Sequence, residues 1–266
     1  MLAYAIVASL QYEFAKDALQ YGSPFVLMAL RYLGVALIFI FITRKLVLTK
    51  MSLIISCFFS SATLFWILGL QYVSPGDSAV LSYTLPLFSI PVAFVLAKER
   101  PRPLEVAGAF IGFSGVIIFS LTLSHGSLLI GAIFTVINAL SYAVVSVLYR
   151  RVRSQDPLPI LGTQFLIGSI PFVVGSIIFP TVQYTSGFFV DLGYLITFGG
   201  AIMLFLWNGM FRIARVGKVT TMGFAVPATT VAIQSVETLK LPSLIAAFGA
   251  LIMFVGVYLA NRNKMG

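Results

Sequence analysis

Four ionisable side chains lie inside otherwise apolar stretches of the sequence: Glu13, Lys16, Asp17 and Arg31. Glu13 precedes Lys16 by three residues and Asp17 by four, so a helix would bring these three side chains close together. Arg31 lies seven residues after Pro24, which is about 10 Å along a helix at 1.5 Å per residue. Two antiparallel helices would place the four groups at overlapping depths, and their formal charges sum to zero.

An ionisable side chain in hydrocarbon is costly, so each of these four residues is a candidate for function. Together they favour a polar site for a zwitterionic or mixed-charge solute, with Glu13 as the group that gains or loses a proton. The alternative is a structural network of ion pairs that locks the first helix to the second. The sequence leaves both interpretations open for Glu13. It favours function for Lys16 and Arg31, and the structural role for Asp17.

Further polar and aromatic side chains occur inside the apolar stretches. Asn138 is near the centre of its stretch, where an amide can bind either solute or another helix. Tyr142 is the second-half counterpart of Tyr12, and Gln164 is the counterpart of Arg31. The predicted substrate-binding residues are Gln11, Tyr12, Glu13, Lys16, Arg31, Tyr83, Asn138, Tyr142 and Gln164.

Two prolines, Pro86 and Pro227, lie in the middle of predicted helices at matched positions. A proline cannot donate a hydrogen bond to the carbonyl four residues before it, so the carbonyls of Ser82 and Gly223 are left free. Paired breaks of this kind point to a binding site or a hinge in transport proteins. The alternative is a packing kink satisfied by neighbouring helices.

The composition excludes several classes of protein. Of 266 residues, 59% are hydrophobic and 9% are charged, and the mean hydropathy is +1.03. Too few polar residues remain to coat a soluble core, so the solvent must be a lipid bilayer. One cysteine, Cys57, and one histidine, His125, predict no metal site, no cofactor and no catalytic Cys–His pair. The net charge of +9 is dispersed in small clusters, which argues against nucleic acid.

Ten stretches are long and apolar enough to be predicted as transmembrane helices, at about 20 residues each. No signal peptide is predicted before the first of them. The predicted spans are 2–20, 24–43, 52–73, 77–97, 104–123, 128–149, 158–179, 190–211, 217–236 and 242–260.

Lysine and arginine alternate between the two ends of the predicted helices. All of the 17 basic residues except Lys16, Arg31 and Lys240 fall in loops on one side or at the C-terminal end of the chain. Basic loops face the cytoplasm. The sequence therefore predicts a multi-pass plasma-membrane protein with both termini in the cytoplasm.

The two halves of the chain repeat each other at an offset of 141 residues, which relates Trp66 to Trp207 and Gly76 to Gly217. Each half has five predicted helices, so the second half enters the membrane in the opposite orientation. The sequence thus predicts an all-α membrane protein of two inverted five-helix repeats, residues 1–123 and 124–266. Inverted repeats are frequent in secondary transporters. The two tryptophans, toward opposite faces, are predicted as interfacial anchors.

Glycines recur at close spacing in the fifth predicted helix, at Gly108, Gly112 and Gly115. The surrounding residues are apolar and no Lys-Ser or Lys-Thr pair follows, which argues against a phosphate-binding loop. The pattern favours a close helix–helix contact.

The stretch from Gly76 through Pro86, the segment Lys98-Glu99-Arg100-Pro101 and the run 108–116 resemble the drug/metabolite transporter superfamily, most closely its EamA-like branch. The second half repeats the pattern through Pro227. The resemblance covers essentially the whole chain, and Lys16 and Arg31 match positions where that family often carries a basic residue. It implies a fold of five plus five helices and the export or exchange of small metabolites, often amino acids or related compounds.

One departure from the family pattern concerns a glutamate after the proline-containing helix of each half. Glu99 occupies this position in the first half, whereas the offset of 141 residues places Lys240 there in the second. Glu237, three residues earlier, is an alternative that the sequence does not decide.

These features favour a secondary transporter of a small polar metabolite that works by alternating access. Its predicted partners are the solute, the lipid bilayer, protons or a counter-solute, and a second copy of the chain. A non-transporting scaffold or a channel is the second hypothesis. A membrane-embedded enzyme is the weakest, because Glu13 and Asp17 are the only pair of acids at helical spacing within a predicted span.

Overall fold

The computed structural model describes residues 2–121, 128–237, 239 and 243–261. In these residues the fold is helical, with short turns and one isolated bridge between Gly22 and Val182. His125, Lys240 and Pro242 lie outside the described residues, as does the side chain of Glu237, so the alternative that Glu237 replaces the missing glutamate is not resolved. The helices are α1 (Leu2–Leu19), α2 (Pro24–Thr43), α3 (Lys50–Leu70), α4 (Pro75–Ser82), α5 (Leu85–Ala97), α6 (Pro103–Ser120), α7 (Leu128–Arg151), α8 (Pro157–Gly168), α9 (Ile170–Ile178), α10 (Ser186–Ile196), a π-helical segment (Thr197–Ile202), α11 (Met203–Ile213), α12 (Val216–Met222), α13 (Ala225–Glu237) and α14 (Leu244–Asn261).

Six helical runs in the described part of the chain are long and apolar enough to cross a membrane. Two shorter apolar helices, Pro103–Phe119 and Leu244–Leu259, accompany them. Large apolar side chains such as Leu37 and Phe41 are exposed on the outside of the bundle, where lipid would cover them. The six runs are Pro24–Thr43, Lys50–Leu70, Pro75–Ala97, Ile133–Arg151, Pro157–Ile178 and Ser186–Ile213.

Several helices begin where a polar cap is followed by proline. Ser23, Ser74 and Asp156 each accept a hydrogen bond from a backbone N–H in the first turn of α2, α4 and α8, and each precedes a proline. Such a side chain satisfies one of the unpaired donors at a helix start, and proline at the first position loses no hydrogen bond there. The turn signals in the sequence therefore fix these starts.

Two predicted spans differ from the structure. The stretch 158–179 is divided at Ser169, because Pro171 cannot donate to the carbonyl four residues before it and a new helix, α9, begins there. The stretch 190–211 begins four residues earlier than predicted, since Thr185 accepts a hydrogen bond from the N–H of Phe188 at 3.2 Å and caps α10.

Helices α6 and α14 pack backbone to backbone through glycines. A Cβ atom added to Gly256 would lie 2.5 Å from the carbonyl oxygen of Gly108, and one added to Gly115 would lie 2.6 Å from that of Gly249. Only glycine permits so close an approach. The packing interpretation of the glycine run is confirmed.

The connections α1–α2 and α9–α10 are joined by backbone hydrogen bonds. The N–H of Ser23 donates to the carbonyl of Thr181 at 2.7 Å, and the N–H of Gln183 donates to that of Tyr21 at 2.7 Å. Gly22, with φ of 150°, lies so close to Thr181 that a side chain would not fit. These contacts hold one end of the bundle together.

Candidate functional site

A cavity of about 70 Å³ lies inside the bundle, between α1, α2, α3, α7, α11 and the junction of α4 with α5. Six of the nine predicted substrate-binding residues line it, and they come from four different helices and the α4–α5 junction. These residues are Gln11, Tyr12, Arg31, Tyr83, Asn138 and Tyr142. The cavity thus brings together residues that are far apart in the sequence.

Arg31 provides the charge of this cavity. Its side chain is 3% exposed, and its Nη2 donates to Oε1 of Gln11 at 2.7 Å and to the carbonyl of Gly199 at 2.8 Å. The guanidinium carbon lies 5.5 Å from the centre of the Trp66 ring, within the range of a cation–π interaction. The guanidinium is therefore fixed by neutral groups of three other helical segments.

The carbonyl of Gly199 belongs to the π-helical segment Thr197–Ile202. Short π segments inside α-helices are frequent at functional sites. No signal in the sequence beyond the adjacent pair Gly199-Gly200 marks this segment, so sequence analysis did not find it.

Aromatic rings form much of the cavity wall. Tyr12 packs edge-on against Trp66 with ring centres 5.6 Å apart, and Tyr4 stacks on Trp207 at 4.9 Å. The hydroxyl groups of Tyr4 and Tyr83 lie 3.4 Å apart. Tyr4 and Trp66 are wall residues that the sequence analysis did not select, since an aromatic residue in an apolar helix gives no sign of facing a cavity.

The two tryptophans are not interfacial anchors. Trp66 is 5% exposed and Trp207 is 0% exposed, so both rings lie within the protein. The prediction was wrong because lipid and protein interior are equally apolar, and hydropathy does not distinguish a ring that faces one from a ring that faces the other.

Asn138 combines both roles that the sequence allowed. Its side chain lines the cavity, and its Nδ2 donates to the carbonyl of Ala62 on α3 at 2.8 Å. The amide thus links α7 to α3 and contributes to the wall between them.

The helix breaks before Pro86 and Pro227 lie against each other. Helix α4 ends at Ser82 and α12 ends at Met222, so both breaks precede their prolines. A Cβ atom on Gly223 would lie 2.6 Å from Cε1 of Tyr83. The two breaks therefore meet, with Tyr83 of the first at the cavity.

Glu13, Lys16 and Gln164 are not among the residues that line the cavity. Glu13 is half-buried on α1. Gln164 is fully buried, and its Oε1 accepts a hydrogen bond from the Tyr149 hydroxyl at 2.6 Å. Lys16 lies near the end of α3, where its Nζ donates to the carbonyls of Leu70 at 2.7 Å and Val73 at 3.0 Å. Its roles in binding and packing are separable by mutation.

We expect Lys16→Met to lower stability and leave solute affinity unchanged. The substitution removes the donor to carbonyl oxygens at the end of α3, at a cost of about 1 kcal/mol, or roughly 2–4 °C in melting temperature. Melting temperature and transport KM, measured on the same preparation, test this. Lys45→Met, at an exposed lysine, is the control. A raised KM with unchanged melting temperature would instead place Lys16 in the binding site.

A second polar arrangement, the Glu99 cluster, consists of Glu99, Glu105, Arg150 and Arg215. Arg150 Nε lies 2.7 Å from Oε1 of Glu99, and their side chains are 14% and 17% exposed. Oε2 of Glu99 accepts from the N–H of Val216 at 3.1 Å, at the start of α12. Arg215 lies 3.7 Å from Glu105. The cluster joins the α5–α6 connection to the end of α7 and the start of α12.

Comparison with known proteins identifies the class of molecule that this fold and cavity belong to. The model of the EamA-like transporter family matches residues 1–121 and again residues 129–262. The chain belongs to the EamA-like transporter family, within the drug/metabolite transporter superfamily. It is an integral, multi-pass membrane transporter, and the family implies a small-molecule solute.

Individual relatives agree with this assignment. An "Uncharacterized transporter in sor 3'region" of Acidianus ambivalens is 38% identical over 89% of this chain and 93% of its own length. The "Uncharacterized transporter YyaM" of Bacillus subtilis (strain 168) is 24% identical over 98% of this chain and 92% of its own. A solved crystal structure matches 97% of this chain and 95% of its own with a TM-score of 0.81 at 19% identity, which shows the shared fold.

Proposed function

We propose that this protein is a secondary transporter, an exporter or exchanger, that moves a small polar metabolite across the plasma membrane by alternating access. The single observation that carries the proposal is the cavity around Arg31. A buried guanidinium beside open space is expensive in a membrane protein unless a solute uses it. The cavity is a transport site in this proposal, and the six predicted residues that line it contact the solute.

We further propose ten membrane spans in two inverted repeats. The family model matches each half separately, and the helix breaks occur at positions related by the offset of 141 residues. Packing partners also exchange between halves: α3 contacts α7 as α1 contacts α10, and α5 contacts α7 as α1 contacts α13. Helix α1 and the pair α12–α13 complete the ten spans.

Alternating access requires the two halves to move around the site. The proposed hinges are the breaks before Pro86 and Pro227, where the backbone lacks helical hydrogen bonds and adjusts at low cost. Both breaks lie next to the cavity, so a change of angle there alters the access to Arg31.

Counterflow in proteoliposomes tests the transport proposal. The purified protein is screened with labelled amino acids, organic acids, sugars, nucleotides and amines, because counterflow distinguishes a carrier from a channel. We expect Ala8→Phe to abolish counterflow by filling the cavity, since Ala8 lines it. Leu37→Phe, at a side chain that is 66% exposed on the outside of the bundle, should transport normally. Failure of every solute class to exchange would refute the proposal.

The proposed topology places both termini in the cytoplasm, following the distribution of basic loops. A reporter fused after Gly266 should report a cytoplasmic location. An external C-terminus would overturn the count of ten spans.

The proton-coupling role of Glu13 stays a prediction, since Glu13 is near the cavity in sequence and does not line it. We expect Glu13→Gln to flatten the pH dependence of net uptake, because an amide does not exchange a proton in this range. Gln11→Ala, two residues away, serves as a control that should keep the shape of the pH profile. An unchanged profile in Glu13→Gln would remove this residue from the coupling mechanism.

A further inference from the structure

We infer that the transported solute is a small organic monoanion whose carboxylate binds Arg31. The inference rests on the proposed function, because it identifies the class of solute that enters the same cavity. It differs from the mixed-charge solute that the sequence predicts, and the difference comes from which charged groups reach the cavity.

The positive charge of Arg31 is not neutralised by any printed partner in the described part of the chain. Its hydrogen bonds go to an amide oxygen of Gln11, to the backbone carbonyl of Gly199 and, at 3.8 Å, to the sulfur of Met28. Its Nε makes no hydrogen bond there. These neutral partners orient the guanidinium and leave its charge available.

The acids with assigned contacts lie elsewhere. Glu99 and Glu105 form ion pairs with Arg150 and Arg215 in the Glu99 cluster. Asp191, on α10, interacts electrostatically with another acid, Asp17. No Asp or Glu lines the cavity as the structure describes it. A carboxylate from outside is therefore the group that would complete the site.

An uncompensated charge in a low-dielectric interior is unfavourable, and an anion that arrives with good geometry recovers that energy. A carboxylate suits a guanidinium because its two oxygens can accept parallel hydrogen bonds. The same charge repels cationic solutes and gives neutral solutes no comparable advantage. The empty cavity is thus selective for anions.

The charge of the wall also sets the valence of the solute. Arg31 is the one Lys, Arg, Asp or Glu that lines the described cavity. A dianion would bring a second negative charge with no cation to meet it. An amino acid would bring an ammonium group with no carboxylate to meet it. A single negative charge matches the site.

The rest of the wall indicates the body of the solute. The rings of Tyr12, Phe59, Trp66 and Tyr142 present apolar and polarizable surface around the guanidinium. The volume of about 70 Å³ is far below that of pockets for drug-sized ligands, roughly 300–1,000 Å³. A compact monocarboxylate with a short apolar body fits these features.

Tryptophan fluorescence provides a binding assay that is independent of transport. The chain has two tryptophans, and the ring of Trp66 faces the Arg31 guanidinium. The purified protein is titrated with L-lactate, L-lactamide, L-alanine and malonate in chloride-free buffer. Lactate, lactamide and alanine share a three-carbon skeleton and differ in charge, and malonate adds a second carboxylate. Pyruvate and 2-oxobutyrate extend the monocarboxylate set.

We expect the monocarboxylates to shift the fluorescence and to exchange in counterflow. The amide, the zwitterion and the dianion should bind at least about 10-fold more weakly, in keeping with the strength of charge-assisted hydrogen bonds. Arg31→Gln should weaken monocarboxylate binding roughly 10- to 100-fold, and Arg31→Lys should restore part of it. Arg44→Gln removes the same charge from the exposed end of α2 and should bind normally.

The outcomes separate the two proposals. Tight binding or exchange of a neutral, cationic, zwitterionic or dianionic solute in preference to the monocarboxylates overturns the monoanion inference and leaves the transporter proposal intact. Unaltered affinity in a folded Arg31→Gln variant overturns it as well. If Arg31→Gln does not fold, the comparison of lactate with lactamide on the unmodified protein still decides. Absence of exchange for every class removes the transporter proposal, and with it this inference.

Discussion

Gly256→Ala should lower the melting temperature of the protein by several degrees. The new Cβ atom would lie 2.5 Å from the carbonyl oxygen of Gly108 and 2.7 Å from the backbone nitrogen of Gly112. Both neighbours are backbone atoms, which do not move aside as the end of a flexible side chain does. Helices α6 and α14 must therefore separate, and overpacking of this kind costs about 1–3 kcal/mol. Thermal unfolding monitored by size-exclusion chromatography measures the change.

Gly209→Ala is the matched control for this substitution. Gly209 is within α11, and an added Cβ there meets nothing within 4 Å. Replacing a helical glycine with alanine in open space stabilises a helix by roughly 0.5–1 kcal/mol, so Gly209→Ala should melt at the same temperature or higher. Equal destabilisation by both substitutions would show that the close contact between α6 and α14 is not what makes Gly256 necessary.

Glu99→Ala should destabilise the protein by about 2–3 kcal/mol, somewhat below the 3–5 kcal/mol measured for breaking fully buried ion pairs. The substitution leaves Arg150 without its carboxylate partner at 2.7 Å and leaves the N–H of Val216 without its acceptor. Glu99→Gln should cost less, because the amide oxygen can still accept a hydrogen bond. Melting temperatures of the two variants give the comparison.

A double-mutant cycle isolates the interaction between Glu99 and Arg150. The double variant Glu99→Ala, Arg150→Ala should be more stable than the sum of the single effects predicts, because neither charge is then left unpaired. Arg151→Gln, at the exposed neighbour of Arg150, should change stability little. Additive single effects would contradict a direct coupling between the two side chains.

The sequence was sufficient for the positions of most helices and for the breaks before the two prolines. Those features depend on local chemistry: proline lacks a donor, and an apolar stretch of a given length is read directly. The division of the seventh predicted span at Ser169 was missed although Pro171 was present. A proline inside a membrane helix produces a kink in one context and a new helix in another, and the neighbours that decide this come from distant parts of the chain.

The candidate site was only partly predictable for a similar reason. Arg31 and Asn138 stand out because polar groups are rare in membrane spans. Lys16 stands out equally, and its depth relative to Arg31 was estimated correctly as overlapping, but its Nζ reaches the carbonyl of Leu70 on α3. Which wall a side chain faces is set by the packing of distant helices. The partner of Glu99 could not be deduced, since Arg150 is on a helix of the other half of the chain.

The π-helical segment also determines how long this part of the chain can be. In α10 the buried residues include Leu192 and Leu195, and at 3.6 residues per turn the buried side would continue near positions 199, 202 and 206. In α11 it instead includes Leu204 and Trp207, one position later. The π segment thus accommodates one inserted residue. Deleting a glycine there would restore a regular helix and turn α11 by about 100°, which would carry Trp207 away from Tyr4 and toward the lipid. Related sequences need a one-residue gap at this place for their cavity residues to align.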